Sequence, residues 1–287
     1  MENSVKNTDY DLILIIISSR SYIYDKLISC YWIPLLSYIE MNKYRVKIYF
    51  AFGNNVPIED LGIPKENTFI ANVNESAIPG ILIKTIDAMK FVDDNYKYKH
   101  ILRANLGSFF ILKMLLNTCK SLSDKDTYAS HQGNNNLGEQ FVGFAHGCGF
   151  WMSSDVVREI ITNRKFINDV LPDDVAITTL LKGRTIQYVP RFDMTHNIIH
   201  NNELLVPIQR VYGPRGETGI KAFNATEIHH KEDLLRYITS LDHYHIRIKN
   251  GNRVIRDGED ASDLEETDIE LMRCFTNKLY SYVKNYS

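Results

Sequence analysis

Apolar residues recur along this chain in two rhythms. Residues 11–17 (DLILIII) are almost unbroken aliphatics, and residues 46–52 (VKIYFAF) form a second run that stops at Gly53. Short runs dense in β-branched side chains predict strands buried on both faces, as at the centre of a parallel sheet. Between them Leu27, Cys30, Tyr31, Leu35, Tyr38 and Ile39 return at helical spacing over 24–41, with Pro34 as an interruption. Strand, helix and strand in this order predict a βαβ unit and a parallel strand pair.

The alternation continues further on. Residues 54–74, with Pro57, Gly62, Pro64 and several Asn, predict a loop. Ile81, Leu82, Thr85, Met89 and Val92 have helical spacing, and 99–104 (KHILRA) predicts a short strand. Residues 121–140 are polar and predict a loop with Asn134, Asn135 and Asn136 at its tip, before an apolar, glycine-punctuated stretch over 141–152. A helix is expected over 155–161, capped by Ser153 or Ser154. Leu171-Pro172-Asp173-Asp174 predicts another helix start, with two carboxylates at its positive end, and 186–189 a strand. Beyond 200 the pattern weakens. Residues 203–218 are irregular, helices are expected over 231–240 and 267–286, and 243–249 alternates at period two. With no internal repeat and no interdomain linker, the expectation is an α/β fold with a core over 1–200 and a C-terminal elaboration over 201–287 packed on the same domain.

Composition narrows the chemistry. The 287 residues carry a net charge of −2, so no global basic field exists to hold nucleic acid or an anionic membrane. Any anionic ligand must be met by local groups. Cys30, Cys119, Cys148 and Cys274 show neither zinc spacing nor a disulfide framework. The longest aliphatic run, Leu12–Ile17, falls far short of a membrane span, and the polar start of the chain shows no signal peptide. A soluble, cytoplasmic protein is therefore expected, its Lys, Asn, Ile and Tyr richness fitting an AT-rich viral or bacterial genome.

Several positions stand out. Ser18, Ser19 and Arg20 follow the first strand, where a parallel sheet leaves its nucleotide crevice, although they also read as a plain polar turn. His243, His245, Arg247 and Lys249 fall on one face of the alternating segment; they read either as a basic surface strand or as cations for a phosphate. Gly147, Cys148 and Gly149 suggest backbone pressed against a ligand or a tight packing site. From the residues alone, Asp173 and Asp174 read as helix-start carboxylates, Asp93 and Asp94 as a solvated helix end, and His196 as structural.

Five segments, in order, resemble the fringe and β-1,3-galactosyltransferase family, glycosyltransferase family 31. They are ILIIISSRSYIYDKLISCYW, VKIYFAFG, Glu75 with Ile81-Leu82-Ile83-Lys84-Thr85, AHGCGFWMSSDVV and LPDDVAI, together spanning residues 11–190. The resemblance implies a GT-A fold: a single Rossmann-like α/β/α sandwich with a mostly parallel central sheet. It implies an inverting transfer from a UDP-sugar to a hydroxyl of an acceptor glycan, with Asp174, or else Asp173, as general base. It places Gly147 and Gly149 along the donor and acceptor pocket, and Lys84, Arg103 and Asn105 are taken as further donor-site candidates with the serines and basic residues above. The family's metal-binding DxD motif corresponds to Leu102-Arg103-Ala104-Asn105-Leu106-Gly107-Ser108, where every acidic position is gone. Asn105 and His196 remain as candidate ligands for Mn²⁺ or Mg²⁺, and activity without metal is expected because hard cations depend on carboxylate charge. A retaining transferase, or an inactive carbohydrate- or nucleotide-binding protein that kept the fold, remain alternatives.

Overall fold

The computed structural model describes residues 9–20, 24–25, 28–106, 112–137, 140–189, 198–200, 203–205, 248–249, 252–255 and 259–260. The chain divides into two compact units. One comprises Met1–Ser19, Ile39–Leu106 and Cys119–Val189; the other comprises Arg20–Tyr38, Gly107–Thr118 and Pro190–Ser287.

The first unit is built on a seven-stranded sheet: β1 (Asp9–Ile17), β2 (Val46–Gly53), β3 (Thr68–Ala71), β4 (Lys97–Asn105), β5 (Tyr128–Leu137), β6 (Gln140–Ser153) and β7 (Gln187–Tyr188). Their order is β3-β2-β1-β4-β6-β5-β7. The pairs β1–β2, β2–β3, β1–β4 and β5–β7 are parallel, whereas β6 runs antiparallel to both β4 and β5. Six strands thus share one direction and β6 alone is reversed. This is a mostly parallel sheet compatible with a Rossmann-like fold.

Burial explains the central aliphatic runs. Leu12, Ile13, Leu14, Ile15 and Ile16 are all fully buried, so both faces of β1 are covered. Each such side chain contributes about 1.5–3 kcal/mol over its exposed state. Ile13, Ile15, Ile101, Phe150 and Met152 of the sheet share one apolar cluster with helices on that face. Leu82, Ile86, Met89 and Val92 come from the helix Gly80–Asn95, Val156, Val157 and Ile160 from Ser154–Thr162, and Ala176 and Ile177 from Asp173–Leu180.

The second unit contains a π-helical turn (Ile28–Trp32) that passes into α1 (Ile33–Met41), whose last residues belong to the first unit. Pro34 sits where the winding changes, a place that tolerates its missing N–H better than a helix interior would. With α1 so placed, Gly80–Asn95 is α2, Leu112–Ser121 is α3, Ser154–Thr162 is α4 and Asp173–Leu180 is α5. The second unit also takes in most of α3, the hairpin β8–β9 (Ile198–His200, Glu203–Leu205) and the short strands β10 (Ile248–Lys249), β11 (Asn252–Ile255) and β12 (Glu259–Asp260).

Four sequence expectations are corrected. The supposed loop over 54–74 contains β3, which extends the sheet beside β2. Asn134, Asn135 and Asn136 lie within β5, paired with Gly143, Val142 and Phe141 of β6, and not at a loop tip. Asp93 is no solvated helix end: it accepts from Tyr98 Oη at 3.0 Å and from Arg158 Nε at 3.1 Å, and its side chain is 15% exposed. Ser153 precedes α4 without capping it, because its hydroxyl accepts from Thr127 N at 2.9 Å and donates to Asp155.

Candidate functional site

After β1 the chain adds β2 and β3 on one side, then returns to place β4 on the other side of β1. Such a reversal opens a crevice outside the carboxyl ends of the two strands, where open α/β sheets bind ligands. Ile17 and Asn105 are register partners at those ends, with Ser18 next on the β1 side.

Beneath this crevice lies a buried charge network. Arg103, 1% exposed, sends Nη2 to Asp173 Oδ2 at 2.6 Å and Nη1 to Asn105 Oδ1 at 2.8 Å. Nη1 also donates to the carbonyl of Gly147, and the guanidinium lies 5.5 Å from the Phe150 ring centroid. Asp173 Oδ2 accepts a further bond from Thr85 Oγ1 at 3.0 Å. Removing one partner of such a pair leaves an uncompensated buried charge and costs about 3–5 kcal/mol. Beside it, Lys84 Nζ donates to the Ser18 carbonyl at 2.8 Å and forms an ion pair with Glu75, whose other oxygen accepts from Gly53 N at 3.2 Å. Burial pushes the Lys84 ammonium below the ordinary lysine range, while Glu75 opposes that shift.

Asp174 is arranged differently from its neighbour. Its Oδ2 accepts from Gly147 N and its Oδ1 from Val175 N, both at 2.9 Å. Burial raises its pKa above the ordinary carboxylate value, and the adjacent Asp173 charge raises it further. Arg103, His146 and the Val175 amide oppose the shift. The two adjacent carboxylates therefore have separate environments, Asp173 ion-paired and Asp174 held by backbone amides.

The backbone that meets Asp174 comes from an irregularity in β6. Ser130 pairs with Phe150 but Gln132 pairs with Ala145, which leaves 146–149 as an extended bulge. The bulge sends the Gly147 N–H to Asp174 and its carbonyl to Arg103. A Cβ on Gly147 would lie 2.7 Å from Asp174 Oδ2, so a side chain there forces the carboxylate to move. Gly149 O accepts from Ser130 Oγ at 2.9 Å, and half-buried His146 stacks on Phe144 at 6.2 Å and 17°. Thr178 of α5 accepts from Ala145 N at 3.1 Å and bonds the buried Tyr128 hydroxyl, so helix and bulge are held together.

Of the sequence candidates, Asp173, Asp174, Arg103, Asn105 and Gly147 meet in one network, with Lys84 and Ser18 beside it. Ser18 is fully buried with its hydroxyl turned to Ile16 O, so it serves the site through its carbonyl and offers a ligand no hydroxyl. Ser19 is half-buried just beyond it. Arg20 belongs to the second unit, where it pairs with Asp25 at 2.9 Å. His196, His243, His245 and Arg247 lie outside the described residues, and of Lys249 only the β10 backbone is described. Thr178 and Tyr128 are site residues that sequence reasoning missed, and nothing in their local pattern distinguishes them from ordinary core positions; Thr85 stood in the segment ending Lys84-Thr85 without being given a role.

Among the described residues the donor chemistry does not fit a divalent cation. Asn105 Oδ1 already accepts from a guanidinium, and Glu75 is ion-paired with Lys84 while its other oxygen accepts from Gly53 N. Among the described residues no group of three His, Cys, Asp or Glu side chains could hold a metal. Among the same residues no helix is long and apolar enough to cross a membrane. No family model matches the chain, and no curated protein matches it either.

Proposed function

We propose that this chain is an inverting glycosyltransferase of the GT-A type, moving a sugar from a UDP-sugar to a hydroxyl of an acceptor glycan. The observation that carries the proposal is Asp174: a carboxylate of raised pKa, held by two backbone amides, in the network beneath the β1–β4 crevice. The sheet order, with β6 alone reversed, supports the GT-A assignment.

Each carboxylate oxygen has two lone-pair sites, so one amide bond on each of Asp174's oxygens leaves acceptor capacity for an incoming hydroxyl. The acceptor O–H gives its proton to Asp174 as the oxygen forms its bond to the anomeric carbon. The bond from that carbon to the diphosphate oxygen breaks, and the electron pair leaves with UDP. A base whose pKa has moved toward the working pH takes the proton more effectively than an ordinary carboxylate. Asp173 touches no substrate in this scheme; it is a positioning residue that holds Arg103, which in turn holds the Gly147 carbonyl.

A second reading, a binding protein without turnover, is favoured by the missing acidic residues at Asn105-Leu106-Gly107. Asp174→Asn separates the two. Turnover of a UDP-sugar by the wild type should fall about 10²-fold or more in the variant, with UDP affinity retained. Unchanged turnover removes Asp174 from the mechanism.

A further inference from the structure

We propose that the end of β4 binds the donor's diphosphate directly, through the Asn105 side-chain amide backed by Arg103, at the position where a carboxylate and a metal ion would otherwise meet it. This rests on the nucleotide-sugar reading above and specifies how that site meets its anion.

The orientation of Asn105 decides the matter. Arg103 Nη1 lies 2.8 Å from the Asn105 side chain, and a guanidinium has only donors. The amide atom facing it must therefore be the oxygen, which leaves no ambiguity about the flip. The other arm of the amide is an NH₂ group with two donors, for which no hydrogen-bond partner occurs among the described residues. Asn105 is half-buried at the carboxyl end of β4, beside the last residue of β1. What it can offer a ligand is N–H, so it suits a phosphate oxygen and not a cation.

Charge balance around it agrees. Arg103 and Lys84 are matched by Asp173 and Glu75 within the network. Asp174 is the remaining carboxylate, and its oxygens accept from the Gly147 and Val175 amides. A divalent ion would find at most one carboxylate not already ion-paired here, whereas hard cations derive their affinity from carboxylates. An anion would meet the Asn105 donors with the guanidinium directly behind, polarising the amide toward stronger donation.

Calorimetric titration of UDP, pyrophosphate and uridine, each in EDTA and in Mn²⁺, tests this on the intact chain. Wild-type protein should bind UDP and pyrophosphate in EDTA, with no more than a small gain from Mn²⁺. Asn105→Asp replaces donors with an acceptor. It should weaken both ligands about ten-fold or more in EDTA, leave uridine unchanged, and recover with Mn²⁺. Asn105→Leu should lose the same affinity and not recover with Mn²⁺, and circular dichroism of both variants confirms that they fold. Pyrophosphate binding in EDTA without any affinity for uridine, or gain from the nucleoside in UDP, supports the anion site while refuting the nucleotide-sugar reading. The proposal is overturned if UDP and pyrophosphate bind the wild type only with Mn²⁺, if neither binds at all, or if Asn105→Leu binds both as the wild type does.

Discussion

Replacing Asp173 with Ala should destabilise the protein severely, and for a reason distinct from catalysis. The Arg103 guanidinium is 1% exposed, and Asp173 is its ion-pair partner at 2.6 Å. The substitution leaves only two neutral acceptors, Asn105 Oδ1 and Gly147 O, facing a full buried charge. It also strips Thr85 Oγ1 of its acceptor. Breaking a buried pair in this way costs about 3–5 kcal/mol, out of a typical total of roughly 5–15 kcal/mol. With a urea dependence of about 2–3 kcal/mol per molar, the midpoint should fall by roughly 1–2.5 M. Urea unfolding followed by fluorescence reports this, since Trp32 and Trp151 are fully buried. The matching control is a double-mutant cycle with Arg103→Leu and Asp173→Leu, because a buried pair replaced by apolar groups is often neutral. The double variant should recover most of what either single variant loses. Additive losses, or a cost below about 1 kcal/mol for Asp173→Ala, would refute the idea that this pair is a closed, desolvated unit.

Three further outcomes follow from the same geometry. Gly147→Ala places a Cβ 2.7 Å from Asp174 Oδ2. It should cost about 1–3 kcal/mol in urea unfolding and reduce turnover, and a neutral result would mean that the bulge adjusts freely. The raised folded pKa of Asp174 means that ionising it costs stability, absent below the unfolded carboxylate pKa of about 4 and complete above the folded value. Asp174→Asn should therefore gain stability relative to the wild type as pH rises from about 4, and a pH-independent difference between them would contradict the shift. Burial pushes the Cys119 thiol up to about 12 and desolvates its neighbour His100, 3.7 Å away. Peptide-resolved labelling at about pH 8, below the ordinary thiol pKa, should leave Cys119 unmodified in the native protein, and rapid labelling there would show that the site is open.

Much of the scaffold was legible because its signals are local. The aliphatic run of β1 and the helical spacing of Leu82, Met89 and Val92 each report burial within a few residues of sequence. β5 was not legible. Its HQGNNN stretch has neither alternation nor β-branched residues, and it is a strand only because β6 pairs with it along its length. The site divides in the same way. Asp173 and Asp174 could be picked out, but their separate roles depend on partners far away in the chain, Arg103 for one and Gly147 for the other. Asn105 shows the limit most sharply: the sequence offers one neutral oxygen there, whereas contact with Arg103 consumes that oxygen and leaves the amide's donors for a ligand. Asp93 fails in the same manner, since Tyr98 and Arg158 reach it from other elements.

The central claim is tested most directly by the release of nucleoside diphosphate from a panel of nucleotide sugars, with wild type and Asp174→Asn assayed side by side. The expected result is release of UDP from at least one UDP-sugar by the wild type, persisting in EDTA, and reduced about 10²-fold or more in the variant. No release from any donor by the wild type, or equal release by both proteins, would contradict a glycosyltransferase that uses Asp174 as its base.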